Sequence, residues 1–189
     1  MKIGIDLGGT KIEGIILNND GKIQHKIRLD TPVGNYVEVV ESIGRITEEL
    51  QGDCNMTVGI GTPGVLDAKT SLMKNSNSLC IDGKPFKRDV ESRLGYEIKV
   101  ENDANCFILS EALLGAGKDA NCVFGVVIGT GCGGGLVISK KLMNGPNGIA
   151  GEWGHNCIPA SVRKLIKSDR ICDCGRVNCI ETVLSGRGL

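Results

Sequence analysis

The chain has 189 residues, 41% of them hydrophobic, and its 22 basic and 22 acidic side chains cancel. That length buries a real core in one domain or the greater part of two. Balanced charge leaves no basic field for non-specific nucleic-acid binding, 3% aromatic content argues against stacking platforms for single strands, and no apolar run reaches membrane-spanning length.

Residues Lys2 to Leu7 carry apolar side chains at alternate positions, which predicts a strand, and Gly8-Gly9-Thr10 turns it. Bare backbone N–H groups at such a turn can face a phosphate. Asp6 stands just before the turn, where a buried strand carries a charge only with a partner such as a metal ion, and Lys11 stands just after it. An ordinary hairpin turn explains the same glycines. Further strands are expected over 12–17 and 22–29, with Asn18-Asn19-Asp20-Gly21 between them and Pro32 ending the meander.

A helix is predicted over 36–50, with Val37, Val40, Ile43, Ile46 and Leu50 near helical spacing and Gly52 closing it. Residues 57–61 read as a short buried strand leading into Thr62-Pro63-Gly64. Residues 75–85 read as a polar loop, 86–94 as a helix and 97–100 as a strand. A helix over 103–115 places Cys106, Leu109, Ala112 and Leu113 on one face, and a hairpin follows over 122–138. Meander, helix, strand, helix, strand describes an α/β fold with a mixed sheet. The glycine-rich stretch 115–119 suggests a boundary, giving an N-terminal lobe over 1–116 and the start of a second over 117–189.

The second hairpin resembles the first. Phe124 to Ile138 overlays Ile3 to Leu17 without a gap, matching Gly4, Gly8 and Gly14 with Gly125, Gly129 and Gly135. Its turn, Gly129-Thr130-Gly131, is again rich in glycine. Two units of one design suggest two half-structures serving one ligand. Asp6 overlays Val127, so the acid belongs to one half. Neither turn has Walker spacing, and neither is a dinucleotide fingerprint, because a strand follows each.

Two further groups carry chemistry. Glu101-Asn102-Asp103-Ala104 falls where a strand gives way to a helix. Asp103 can cap that helix, or it can accept a proton from a substrate hydroxyl at the carboxyl end of the sheet. Asn102 offers both donor and acceptor, as a polyol requires. Later, Cys172-x-Cys174 with Cys179 supplies three thiols at metal-ligand spacing, and His155 or Cys157 can supply a fourth donor for a structural zinc. Glu152 and Glu181 flank these segments and can hold sugar hydroxyls or simply be surface charge. The other cysteines of the nine read as small apolar residues in or near the core.

In order, Asp6-Leu7-Gly8-Gly9-Thr10-Lys11, Glu101-Asn102-Asp103-Ala104-Asn105, Gly129-Thr130-Gly131, Gly151-Glu152-Trp153-Gly154-His155 and Cys172-x-Cys174-Gly175-x3-Cys179-x-Glu181 resemble the ROK family of bacterial sugar kinases and regulators. The resemblance spans the whole chain. It implies an actin-like, ribonuclease H-like fold of two α/β lobes, with ATP and sugar in the cleft between them. It implies Asp103 as catalytic base. Gly64, Asn77, Asn102, Glu152, His155 and Glu181 would hold the sugar. Gly8, Gly9, Thr10 and Lys11 would line the phosphates from one lobe, Gly129, Thr130 and Gly131 from the other, with Asp6 near Mg2+. His155, Cys172, Cys174 and Cys179 match the family's zinc ligands.

Two features depart from the family pattern. Asn178 stands where members carry glycine, a position Asn tolerates in left-handed backbone. Members also continue beyond Leu189, so a second lobe left incomplete is expected. Motifs around Asn77 and Glu152 look most like fructokinases, whereas 102–107 and 184–188 are closer to N-acetylglucosamine kinases. The expectation is an ATP-dependent hexose kinase, fructokinase-like, homodimeric when complete and cytoplasmic, since no signal peptide precedes the first strand. A sugar-responsive regulator and an inactive sugar-binding fragment are the alternatives.

Overall fold

The computed structural model describes residues 1–76 and 80–188. It contains two compact units, Met1–Cys106 and Phe107–Leu189.

The first unit is built on five strands, β1 (Lys2–Leu7), β2 (Lys11–Leu17), β3 (Ile23–Asp30), β4 (Thr57–Thr62) and a strand at Lys99–Asn102. Their order across the sheet places β1 centrally, with β2 antiparallel to it and β3 antiparallel to β2 on one side, and β4 and Lys99–Asn102 parallel to it on the other. A short hairpin, β5 (Val65–Leu66) with β6 (Met73–Lys74), interrupts the connection after β4, and Lys99–Asn102 is therefore β7. The strand predicted over 97–100 thus starts two residues later. Its limits are set by pairing with β4, from Gly59 opposite Lys99 to Thr62 opposite Asn102. Ahead of it, Ile98 N–H donates to Glu91 Oε1 at 3.0 Å.

Helix α1 (Tyr36–Gln51) covers the sheet. Asn35 caps it by accepting the Glu38 N–H, and Gly52 ends it with its N–H on Glu48 O. Its buried stripe includes Val39, Ile43, Ile46 and Leu50, while Val37, expected on that stripe, faces solvent. Helix α2 (Phe86–Leu94) packs beside it and closes on left-handed Gly95. Arg93 of α2 ties the pair by donating to Glu41 Oε2 at 2.8 Å and Glu48 Oε1 at 2.6 Å. Phe86, Leu7, Ile12, Ile43, Ile46 and Ile60 form the centre of the core.

Helix α3 (Asp103–Leu113) follows β7 directly. Its buried positions are Asn105, Ile108 and Ala112; Leu113 is exposed and Cys106 and Leu109 only partly covered. The inward stripe is therefore rotated from the predicted one. Ile108 fills the space over Gly125, and Asn105 turns inward to serve a carboxylate.

The second unit holds β8 (Cys122–Ile128), β9 (Cys132–Ile138) and β10 (Lys141–Leu142), a single 3-10 turn at Trp153–His155, and the short helices α4 (Ala160–Arg163) and α5 (Glu181–Leu184). Strand β8 is the outer strand of its sheet, and Phe124, Val126 and Ile128 along it remain exposed. The two hairpins are not exact copies. Leu7 faces Ile12 across four intervening residues, but Ile128 faces Cys132 across three. The gapless overlay thus runs one residue out of register after the turn. No helix among the described residues is long and apolar enough to cross a membrane.

Phe86 is fully buried. Replacing it with Ala should cost about 3–5 kcal/mol through lost burial plus the cavity left behind, read as a lowered urea midpoint with unchanged slope.

Candidate functional site

In the first unit the parallel strands end together. Asp6 lies opposite Gly61, Gly61 opposite Glu101, and Thr62 opposite Asn102. Parallel pairing thus brings Asp6, Glu101, Asn102 and Asp103 to one edge, the carboxyl end where ligands of open α/β sheets bind.

Each of these side chains has a defined setting. Asn102 caps α3: its Oδ1 accepts the Asn105 N–H at 3.1 Å, and its Nδ2 donates to Gly64 O at 3.1 Å. The capping role considered for Asp103 therefore belongs to its neighbour. Asp103 is exposed, with Oδ1 accepting the Ala104 N–H at 2.7 Å. Glu101 Oε1 accepts from Asn102 N and Asn105 Nδ2, at 2.9 and 3.0 Å. Burial, then the charge of Asp103, raises the Asp6 carboxyl above its ordinary range. Burial, then Glu101, Asp103 and Asp6, pushes the Cys106 thiol up to about 11. The carboxylates of Asp6, Glu101 and Asp103 concentrate negative charge at this end of the sheet.

Gly64 has φ +82°, and an added Cβ would lie 2.3 Å from Lys74 O. Only glycine fits, and that fit presents the carbonyl that Asn102 reads. Ser76 buttresses the same loop by donating from Oγ to Pro63 O at 2.9 Å. Asn77, the other sugar-binding candidate of this loop, lies outside the described residues.

The first glycine turn is closed by Gly8 N–H on Lys11 O at 2.9 Å. Thr31 clamps it, donating N–H to Thr10 O at 2.9 Å and Oγ1–H to Gly8 O at 2.8 Å. Both carbonyls face Thr31, which leaves the outer side of the turn to Gly9 and Thr10. Lys11, expected to meet phosphate, forms an ion pair with Asp30 of β3. Both partners are largely exposed, so that pair is weak and exchangeable. Sequence reasoning missed Thr31, Ser76 and Asn105. Thr31 and Ser76 act through hydrogen bonds to backbone carbonyls distant in sequence, and Asn105, though inside the Glu101–Asn105 motif, through the carboxylate of Glu101; spacing does not mark such bonds.

In the second unit, Gly129 N–H bonds Gly131 O at 2.9 Å, forming a tighter turn. The segment bearing Glu152 and His155 lies directly on β9. A Cβ at Gly151 would be 2.1 Å from Gly134 O, and one at Gly154 would be 2.3 Å from Cys132 O. The two glycines of Gly-Glu-Trp-Gly-His thus permit backbone contact, and Trp153 Nε1 locks it by donating to Gly133 O at 2.7 Å.

His155, Cys172, Cys174 and Cys179 converge, with their donor atoms all within 4.8 Å of one another. Cys172 Sγ is 3.5 Å from His155 Nδ1, and Cys174 Sγ is 3.6 Å from Cys179 Sγ. A tetrahedral zinc, with bonds of about 2.3 Å to sulfur and ~2.0 Å to nitrogen, requires edges near ~3.8 and ~3.5 Å. The residues fit such an ion. Cys157, the competing ligand by spacing, is exposed and pairs its backbone with Cys179 outside the cluster. Burial raises the thiols of Cys172 and Cys179. At Cys174, burial is outweighed by hydrogen bonds from Arg176, which hold the thiol lower. Asn178 has φ +59° and uses its side chain twice, accepting from Arg170 N at 3.0 Å and donating to Asp169 Oδ1 at 2.8 Å. It supplies the left-handed bend and a brace that glycine lacks.

The ROK family model matches residues 2–189. This chain belongs to the ROK family. An N-acetyl-D-glucosamine kinase of Pasteurella multocida is 39% identical over 194 residues, and one of Vibrio cholerae 40% over 193, each alignment covering all of this chain and 64% of the relative. The chain therefore spans just under two thirds of the length of these ROK relatives. A ROK hexokinase from Thermus thermophilus superposes with a TM-score of 0.83 at 29% identity, covering 99% of this chain and 61% of that one. A ROK family glucokinase from Streptomyces griseus, solved with glucose and AMPPNP, gives 0.82 at 32%, covering 99% and 58%. The fold is the actin-like, ribonuclease H-like α/β fold of the ROK family.

Asp6 gives a pH signature. Its folded pKa is raised, so its ionisation opposes folding: the contribution is absent at acid pH and grows as pH rises through the folded value. Asp6→Asn should therefore raise the melting temperature at pH 7, with the gain vanishing toward pH 3. An equal gain at both pH values would refute the assignment.

Proposed function

We propose that this chain carries the sugar- and phosphate-handling residues of an ATP-dependent hexose kinase acting on N-acetylglucosamine. The observation that carries the reading is the alignment of Asp6, Asn102 and Asp103 at one sheet edge beside Gly64. Identities of 39–40% to relatives named N-acetyl-D-glucosamine kinase support the choice of sugar. They favour it over the fructose that the motifs around Asn77 and Glu152 suggested.

In this reading Asp103 accepts the proton of the attacking sugar hydroxyl. The exposed carboxylate accepts the Ala104 N–H through Oδ1, and in this reading Oδ2 takes the proton. The Asn102 Nδ2–Gly64 O bond fixes both groups in place, and each keeps one further hydrogen-bonding position for a hydroxyl. Glu152, His155 and Glu181 are the residues of the second unit assigned to a sugar. The turns Gly8–Lys11 and Gly129–Gly131 serve ATP phosphates, and Mg2+ supplies charge neutralisation when held near Asp6. Positioning and neutralised charge, rather than covalent chemistry, would lower the barrier. The Cys3His cluster holds zinc as a structural clamp, and the functional unit is a homodimer in the cytoplasm.

N-acetylglucosamine titrated into the protein should give saturable heat with one site per chain, and MgATP should then release ADP. Asp103→Asn should lower turnover by about 10²–10⁴ while sugar affinity is kept. Release with fructose but not N-acetylglucosamine would overturn the choice of sugar, and no release with any hexose would overturn the kinase reading. Separately, elemental analysis should find about one zinc per chain, lost in Cys174→Ser.

A further inference from the structure

Glu181 lies between two features of the second unit. Its Oε2 accepts the Cys132 N–H at 2.8 Å, at the end of the Gly129–Gly131 turn. Its Oε1 lies 3.7 Å from Cys172 Sγ, one donor of the Cys3His cluster. In sequence it follows another donor, Cys179, by two residues, and Thr182 fastens that step by donating N–H and Oγ1–H to Cys179 O at 2.9 and 2.7 Å. The carboxylate also fills the space beside Gly131, where an added Cβ would lie 2.5 Å from Oε2. A second tie runs the same way: Gly186 N–H donates to Gly129 O at 2.7 Å. The turn is thus held from the segment that the cluster organises, and by a charge-assisted bond.

We propose that Glu181 is a positioning residue through which metal loading of the Cys3His cluster sets the conformation of the Gly129–Cys132 turn. A metal-bound Cys172 thiolate has no S–H to offer Oε1, so the Oε2 bond to Cys132 carries the coupling. Fixing Cys179 on a metal fixes the backbone two residues upstream of the carboxylate. Without the metal, the His155–Glu181 segment loses its crosslink and the carboxylate loses its anchor. The inference rests on the zinc reading of the cluster, but it concerns the turn's shape and holds whatever ligand the turn takes.

The test is amide hydrogen exchange of the peptide spanning 129–133 on the whole chain, with zinc content measured in the same samples. Wild type should exchange roughly tenfold or more faster after chelation, the scale of one charge-assisted hydrogen bond. Zinc returned alone should restore protection. Glu181→Ala should keep its zinc yet show the fast exchange in its presence. Glu181→Gln, which retains an acceptor oxygen at the same reach, should recover the zinc-dependent protection. Wild type that binds zinc but exchanges equally with and without it would overturn the proposal, and so would full protection in zinc-loaded Glu181→Ala. Wild type that binds no zinc would instead overturn the metal reading on which the proposal rests. The wild-type comparison stands alone should a variant fail to fold.

Discussion

Everything at the candidate catalytic edge depends on three parallel strands ending at the same level. Pairing of β1 with β4 and β4 with β7 brings the carboxylates of Asp6, Glu101 and Asp103 to one rim. Like charges so gathered oppose folding, and the raised Asp6 carboxyl and Cys106 thiol register that cost. The fold offsets part of it locally. Glu101 accepts two N–H donors, and Asn102 takes over helix capping so that the Asp103 side chain is left outward. A site arranged in this way is less stable than a neutral one.

The second unit solves a different problem. It has little apolar core: Ile108, Ala112 and Val137 form its buried cluster. Its long stretch after β10 is instead organised by close backbone contacts, the Gly151 and Gly154 approach to β9, the Asn178 brace and four converging donor atoms. Small segments with few hydrophobic contacts commonly substitute a crosslink for a core.

Much of this was legible in the residues. Strands β1, β2 and β4, helices α1 and α2 and the second hairpin follow from period and from the end signal at Gly52. Spacing marked the three cysteines and left His155 or Cys157 as the fourth donor; the family resemblance pointed to His155, and it is His155 that converges with them. What escaped was tertiary. Asn105 looks like an ordinary polar helix residue until Glu101 is seen to need its amide. The inward face of α3 turned toward Asn105 and Ile108 because of that bond and because Gly125 leaves room opposite. The one-residue difference between the hairpins hid in glycine-rich turns, where no side chain marks register. Lys11 was read for its charge alone, without the Asp30 that the β2–β3 pairing places directly across from it.

The outward row on β8 has a practical meaning. Phe124, Val126 and Ile128 alternate along a strand that lies at the margin of its sheet, with 52%, 45% and 56% of their surfaces open to water. No lysine, proline or bulge blunts that margin between Cys122 and Ile128. Edges of this kind recruit further strands from other molecules. In concentrated samples, strand addition along this flank gives the protein a route to self-association.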